Sequence, residues 1–223
     1  MKFLSITNLR AGDVLLCYKD AKLDLLGKKI SAITGSDYTH AAICLDDTSA
    51  VESVVSAGVK KLAIQDVVSR YDHVAVFRQP DAWNSSERVE ALNTFVNSVI
   101  ASKAKYNLRG VLAFKKRSEI HHLSLTEQLE AFFEGKIEPE AIEKGTYFCS
   151  ELVANCFVAV GFLDPSAAIV FKSSTTSPGA LGRDSAYGTF YGYLTNSASY
   201  VIPDADEFFN APTFDEVWGN GAA

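Results

Sequence analysis

The sequence predicts an α+β fold, an antiparallel sheet with helices packed against it, and three patterns carry that prediction. Short apolar runs bounded by turn residues crowd the first eighty positions. One long amphipathic helix follows them, and a second helical stripe opens at Cys149. The composition is that of an ordinary globular chain of one or two domains. It has 223 residues, 48% hydrophobic and 22% charged, with a net charge of −6. That acidity speaks against nucleic acid or an anionic membrane as the main partner. No run of about 18 apolar residues is long enough for a membrane span. Nor does the N-terminus carry the apolar stretch of a signal peptide, so a cytoplasmic protein is expected.

Taken in order, residues 8–18 give a turn at Gly12-Asp13 and then a short all-apolar strand. Residues 22–33 intersperse lysines with Leu23, Leu25, Leu26, Ile30 and Ile33, which predicts a short helix stopped by Gly35. A strand opened by His40 runs to Leu45, Asp46-Asp47-Thr48 is turn chemistry, and Ala50–Val55 is the next strand. Residues 58–69 hold a strand end and a short helical piece, and His73–Arg78 alternates as a further strand before Pro80. Ser85 or Ser86 caps a helix whose stripe is Val89, Leu92, Phe95, Val96, Val99 and Ile100, reaching about Ala104. Tyr106–Gly110 reads as a loop. Residues 112–146 read as a helical insert or cap, with Leu125, Leu129, Phe132 and Phe133 inward and a break at Gly135 and Pro139. The helix from Cys149 runs to about Val160 and stops at Gly161. Phe190–Leu194 and Ala198–Ile202 are the last strands expected. In the tail 203–223, Phe208, Phe209, Phe214 and Trp218 are the residues expected to dock. The whole reads as a single domain, 1–223, and sets no oligomeric state.

Cys149 is the first candidate for chemistry. The unpaired N–H groups and positive dipole end of a helix start favour a thiolate. Cys17, Cys44 and Cys156 sit in apolar runs and read as core, which suits a reducing compartment. The four cysteines and four histidines show no zinc-ligand spacing, so no metal and no cofactor is expected. His40 is the second candidate. If residues 45–47 form a three-residue connection, 44 pairs with 48 and His40 lies directly opposite Glu52 on one face of the sheet. An imidazole that takes a thiol proton, with a carboxylate behind it, is the arrangement a thiol enzyme needs. A lone histidine more often caps a strand at a surface, and His73, His121 and His122 are read as surface or strand residues.

Four segments resemble, in permuted order, the circularly permuted papain-like amidases, the YiiX-like branch of the NlpC-type cysteine peptidase superfamily. They are Leu9–Leu16 with its Gly-Asp pair, Thr34–Ile43 ending in Thr39-His40, Tyr147-Phe148-Cys149-Ser150-Glu151-Leu152-Val153, and Ser177-Pro178-Gly179-Ala180-Leu181. The resemblance implies a permuted papain-like fold, with a small barrel-like antiparallel sheet packed against the cysteine helix. It also implies Cys149 as nucleophile, His40 as base and Glu52 as orienting carboxylate, with Tyr38 a candidate oxyanion or substrate-orienting group. The expected activity is hydrolysis of an amide bond in a peptide or N-acyl substrate. The alternatives are an acyltransferase or lipid ester or thioester hydrolase, and a binding protein that keeps the fold without catalysis.

Overall fold

The computed structural model describes residues 2–20, 25–164 and 166–219, with the side chains of residues 25 and 26 not described. The expected strands and helices form β1 (Val14–Tyr18), α1 (Leu25–Thr34), β2 (Tyr38–Cys44), β3 (Ser49–Val54), β4 (Gly58–Ala63), α2 (Ile64–Val68), β5 (His73–Arg78) and α3 (Ser86–Ala101). Then follow β6 (Lys105–Tyr106), α4 (Leu108–Leu123), α5 (Leu125–Phe133), β7 (Thr146–Tyr147), α6 (Cys149–Ala159), α7 (Ala167–Val170), α8 (Pro178–Arg183), β8 (Thr189–Thr195) and α9 (Phe214–Trp218). Residues 22–24 of the expected first helix, and 220–223 of the tail, lie outside the described residues.

The architecture is α+β. One six-stranded sheet has the order β4-β3-β2-β1-β5-β8, with every neighbouring pair antiparallel. Among the described residues the strand order is linear, with β4 and β8 at its two edges, so the sheet is not closed as a barrel. The all-apolar character of β1 has a direct cause: the strand is central and buried on both faces. Val14 and Leu16 join the larger core with Ile43, Phe77, Leu152, Val153 and Phe157, whereas Leu15 and Cys17 join a second cluster with Ile64, Val67, Val76 and Phe214. The remaining two cysteines of the apolar runs, Cys44 and Cys156, are wholly buried, as expected of core residues.

Three expectations need correction. The segment 107–110 is a helix start and not a loop, because Asn107 caps α4, its Oδ1 accepting the Gly110 N–H at 2.8 Å. The helical cap therefore begins at Leu108, four residues before the expected 112. Phe133 does not face inward; it is 75% exposed at the end of α5. Residues 198–202 form a turn and an irregular segment instead of a strand, and Ile202 buries itself in the larger core from there. In the tail, Phe208 and Phe214 dock as expected, Phe209 is half-buried, and Trp218 stays exposed.

The turn before β1 is fixed by Gly12, whose φ is +87° and whose missing Cβ leaves room for the Trp83 ring. Gly12→Ala is expected to cost about 3 kcal/mol, from left-handed backbone strain plus overlap with the indole. Urea unfolding would measure it as a lowered midpoint at unchanged slope.

Candidate active site

The site forms where β3 leaves β2. The β1–β2 ladder continues to Tyr38, but the β2–β3 ladder ends at Ala42 opposite Glu52. This frees the Ala41 N–H at the strand's edge, and the start of α6 enters the opening. The hydroxyl of Ser53, just past the ladder's end, donates to the Tyr147 carbonyl at 2.7 Å and ties β3 to the loop before α6. Cys149 is the first residue of α6, with Phe148 as the extended cap. The two residues after it anchor the helix. Ser150 Oγ donates to Thr176 O at 2.8 Å, and Glu151 accepts from the Phe148 N–H at 3.2 Å and from Lys144 Nζ at 2.9 Å. Residues 149–157 are all buried, so α6 is enclosed on every side rather than along one stripe.

His40 and Glu52 do meet, by a register different from the expected one. Cys44 pairs with Ala50, not with 48, because the connection is longer. Asp46 Oδ1 holds the N–H groups of Thr48 and Ser49 at 2.8 and 2.6 Å. A shift of two residues preserves the parity of the strand, so both side chains keep a common face and meet diagonally. His40 Nε2 lies 2.8 Å from Glu52 Oε2. That contact leaves Nδ1 as the ring nitrogen for Cys149.

Glu52 is fully buried and held from a second side by Arg70, whose Nη2 donates to the same oxygen at 2.6 Å, while Lys60 Nζ stands 3.5 Å from Oε1. Burial works against its charge, but the hydrogen bonds from His40 and Arg70 outweigh it and push the carboxyl down to about 2. Burial likewise opposes a charged His40, and hydrogen bonds to Cys149 and Glu52 reverse that, pushing the imidazole up to about 9. For Cys149, burial raises the thiol. The hydrogen bond and charge of His40, then the N–H groups of Ala41 and Ser150, bring it below its ordinary value. The resting state these directions describe is a thiolate–imidazolium pair with a carboxylate behind it. Tyr71 lies parallel to the His40 ring, 5.7 Å between centroids, and fixes its plane.

Two pockets flank the pair and share Ile30, Thr39 and Tyr106. A narrow cavity lies on the Cys149 side, walled largely by apolar groups from Val111, Phe114, Phe148 and Pro178. A wider cleft opens on the His40 side. Tyr106 borders both. Burial, then the neighbouring Cys149 charge, raises its hydroxyl far above the usual range, so the group is a neutral donor beside the sulfur.

No family model and no curated protein sequence matches the chain. The described residues contain no group of His, Cys, Asp and Glu able to hold a metal, and no helix long and apolar enough to cross a membrane. The four cysteines are free thiols.

Tyr38 stands elsewhere. It is fully buried, and its hydroxyl donates to Asp206 Oδ2 at 2.9 Å, 3.1 Å from His73 Nε2. His73 is no surface residue. It is fully buried at the start of β5, its Nε2 lies 2.9 Å from the same carboxylate, and Tyr193 donates to Asp206 Oδ1 at 2.5 Å. This cluster fastens the tail to the sheet. His121 is buried too, with Nε2 3.1 Å from the Val170 carbonyl, while His122 is exposed. Tyr38→Phe is expected to cost about 1–2 kcal/mol by removing one donor from a buried carboxylate. It should leave the alkylation rate of Cys149 unchanged, and the two readings on one sample check both halves.

The sequence reasoning missed Arg70, Tyr71 and Tyr106. Arg70 and Tyr71 follow α2 with no motif around them. Tyr106 falls in the stretch whose composition reads as a loop, although its place one position before a helix-capping asparagine is a signal that could have found it.

Proposed function

We propose that the chain is a thiol hydrolase of permuted papain-like type that cleaves an amide bond in a peptide or N-acyl substrate. The observation that carries this reading is geometric: Cys149 opens a buried helix beside His40, whose Nε2 lies 2.8 Å from the buried Glu52 carboxylate. In that chemistry Cys149 Sγ adds to the substrate carbonyl carbon, and the C=O π pair moves onto oxygen. N–H groups at the start of α6 and the neutral Tyr106 hydroxyl are the donors at hand for the oxyanion. The His40 imidazolium then protonates the leaving nitrogen as the C–N bond breaks, giving a thioester and a neutral imidazole. Water attacks the thioester with His40 as base, its proton passing to the ring as the C–S bond breaks. The carboxylic acid is released and the ion pair restored. Glu52 holds the ring through both steps without itself taking the proton.

The walls of the smaller cavity favour an apolar acyl group beside the sulfur. The same observation supports transfer of that group to an acceptor other than water, or hydrolysis of a lipid ester or thioester, as a second reading. Four free thiols suit action in a reducing compartment such as the cytoplasm. The test is to incubate the protein with panels of N-acyl and peptidyl chromogenic amides and thioesters, following release and the mass of Cys149. An acyl adduct on Cys149 with release abolished by Cys149→Ala is expected. Release that survives that substitution, or no adduct and no release across the panels, would overturn the reading.

A further inference from the structure

The cap helices leave an outer face that none of the described residues covers. Their inner stripe runs Gly110, Phe114, Arg117, His121, Leu125, Gln128 and Phe132, buried or half-buried, at intervals of three and four residues straight across the junction at Ser124. The opposite stripe therefore also continues in phase from α4 into α5. On it Leu112 is 71% exposed, Ile120 53%, Leu123 85% and Phe133 75%. Large apolar groups gathered on one exposed side mark an interaction surface rather than scattered surface hydrophobics.

Charge on the same face divides unevenly. Arg109, Lys115 and Lys116 are exposed on the first half, with Glu119 the acidic residue among them, and Glu127, Glu130 and Glu134 on the second. Among the described residues, only Glu134 of these seven has a salt bridge, to Lys136 at 2.6 Å. An anionic membrane would attract the first half and repel the second. A face that is net basic at one end, acidic at the other and carries exposed apolar groups between is complementary to itself turned end for end. We infer that the outer face of α4 and α5 pairs antiparallel with the same face of a second copy of this chain, about a two-fold axis. An axis passing between His121 and His122 sets Ile120 against Leu123 and Lys116 against Glu127, each contact occurring twice, as an isologous interface requires. The apolar pairs supply affinity, and the charge pairs fix direction and register.

The test is sedimentation velocity of the full chain from low-micromolar to near-millimolar concentration. A reversible monomer–dimer equilibrium is expected, weakened about tenfold or more by Leu123→Glu. Lys116→Glu alone and Glu127→Lys alone should each weaken it similarly, since like charges then face each other twice. An equimolar mixture of those two variants should recover the wild-type association, because the mixed pair regains opposite charges at both contacts. That recovery also shows that the variants fold. A chain that stays monomeric throughout overturns the inference, as does a dimer indifferent to all three substitutions. So does a monomer that floats with vesicles of equal parts phosphatidylcholine and phosphatidylglycerol in a Leu123-dependent way.

Discussion

Replacing His40 by alanine is expected to slow alkylation of Cys149 by iodoacetamide at pH 6 by one to two orders of magnitude. The sign follows from the two shifts. The Cys149 thiol is depressed and the His40 imidazole raised to about 9, so the thiolate–imidazolium pair exists from the thiol's lowered pKa up to about pH 9. Across that window the wild-type rate should be nearly flat with pH. Without the imidazole, burial is the dominant influence left on the thiol and holds it at or above its ordinary value near 8.5, so the rate should climb about tenfold per pH unit from 6 to 8. The lower intrinsic nucleophilicity of a low-pKa thiolate offsets part of the difference, which is why the expected loss is smaller than the ratio of thiolate populations. Glu52→Gln should act in the same direction and less strongly. It removes the charge that stabilises the imidazolium and leaves the Arg70 and Lys60 cations without their counter-charge behind it. Stopped-flow alkylation against pH for the three proteins checks all of this. Three superimposable profiles of ordinary thiol shape would leave the ion pair without chemical consequence.

Both partners in that experiment were legible in the sequence because their signals are local. An apolar helical stripe opening at Cys149 fixes a helix start, and a two-residue alternation carries His40 and Glu52 to one face whichever even register the strands adopt. What was not legible depends on contacts distant along the chain. Arg70 reaches Glu52 from the far side of β4 and α2, and Asp206 meets His73 across 133 residues, so no spacing announces either contact. Local ambiguity accounts for the remainder. Asn-Leu-Arg-Gly serves a turn and a capped helix start equally well, and the alternation in 198–202 is also that of an irregular segment placing Ile202 in the core.

The largest stability effect is expected from Asp13→Ala, at the Gly-Asp pair that opens β1. Asp13 is 1% exposed and Arg78 3%, and the two join through a bidentate contact, Nε to Oδ1 at 2.8 Å and Nη2 to Oδ2 at 2.6 Å. Arg78 Nη2 also donates to the Asn8 carbonyl at 2.7 Å, and its guanidinium lies 3.9 Å from the centroid of the Tyr191 ring, so it cannot swing out to water without undoing that packing. Alanine at 13 would leave this cation buried without a counter-charge, which costs about 3–5 kcal/mol. Replacing both partners by apolar residues, Asp13→Leu with Arg78→Met, should cost less than Asp13→Ala alone, because no charge is then stranded. Urea unfolding of the three variants tests that order, and a double variant worse than the single would refute it. The site should not follow the loss of stability. Asp13 precedes Val14, which pairs with Ile43, whereas His40 sits opposite Cys17 towards the other end of the same ladder. Under native conditions the folded Asp13→Ala protein should therefore keep the flat wild-type alkylation profile. A profile displaced towards that of His40→Ala would mean instead that the Gly-Asp turn helps to hold the thiolate–imidazolium pair.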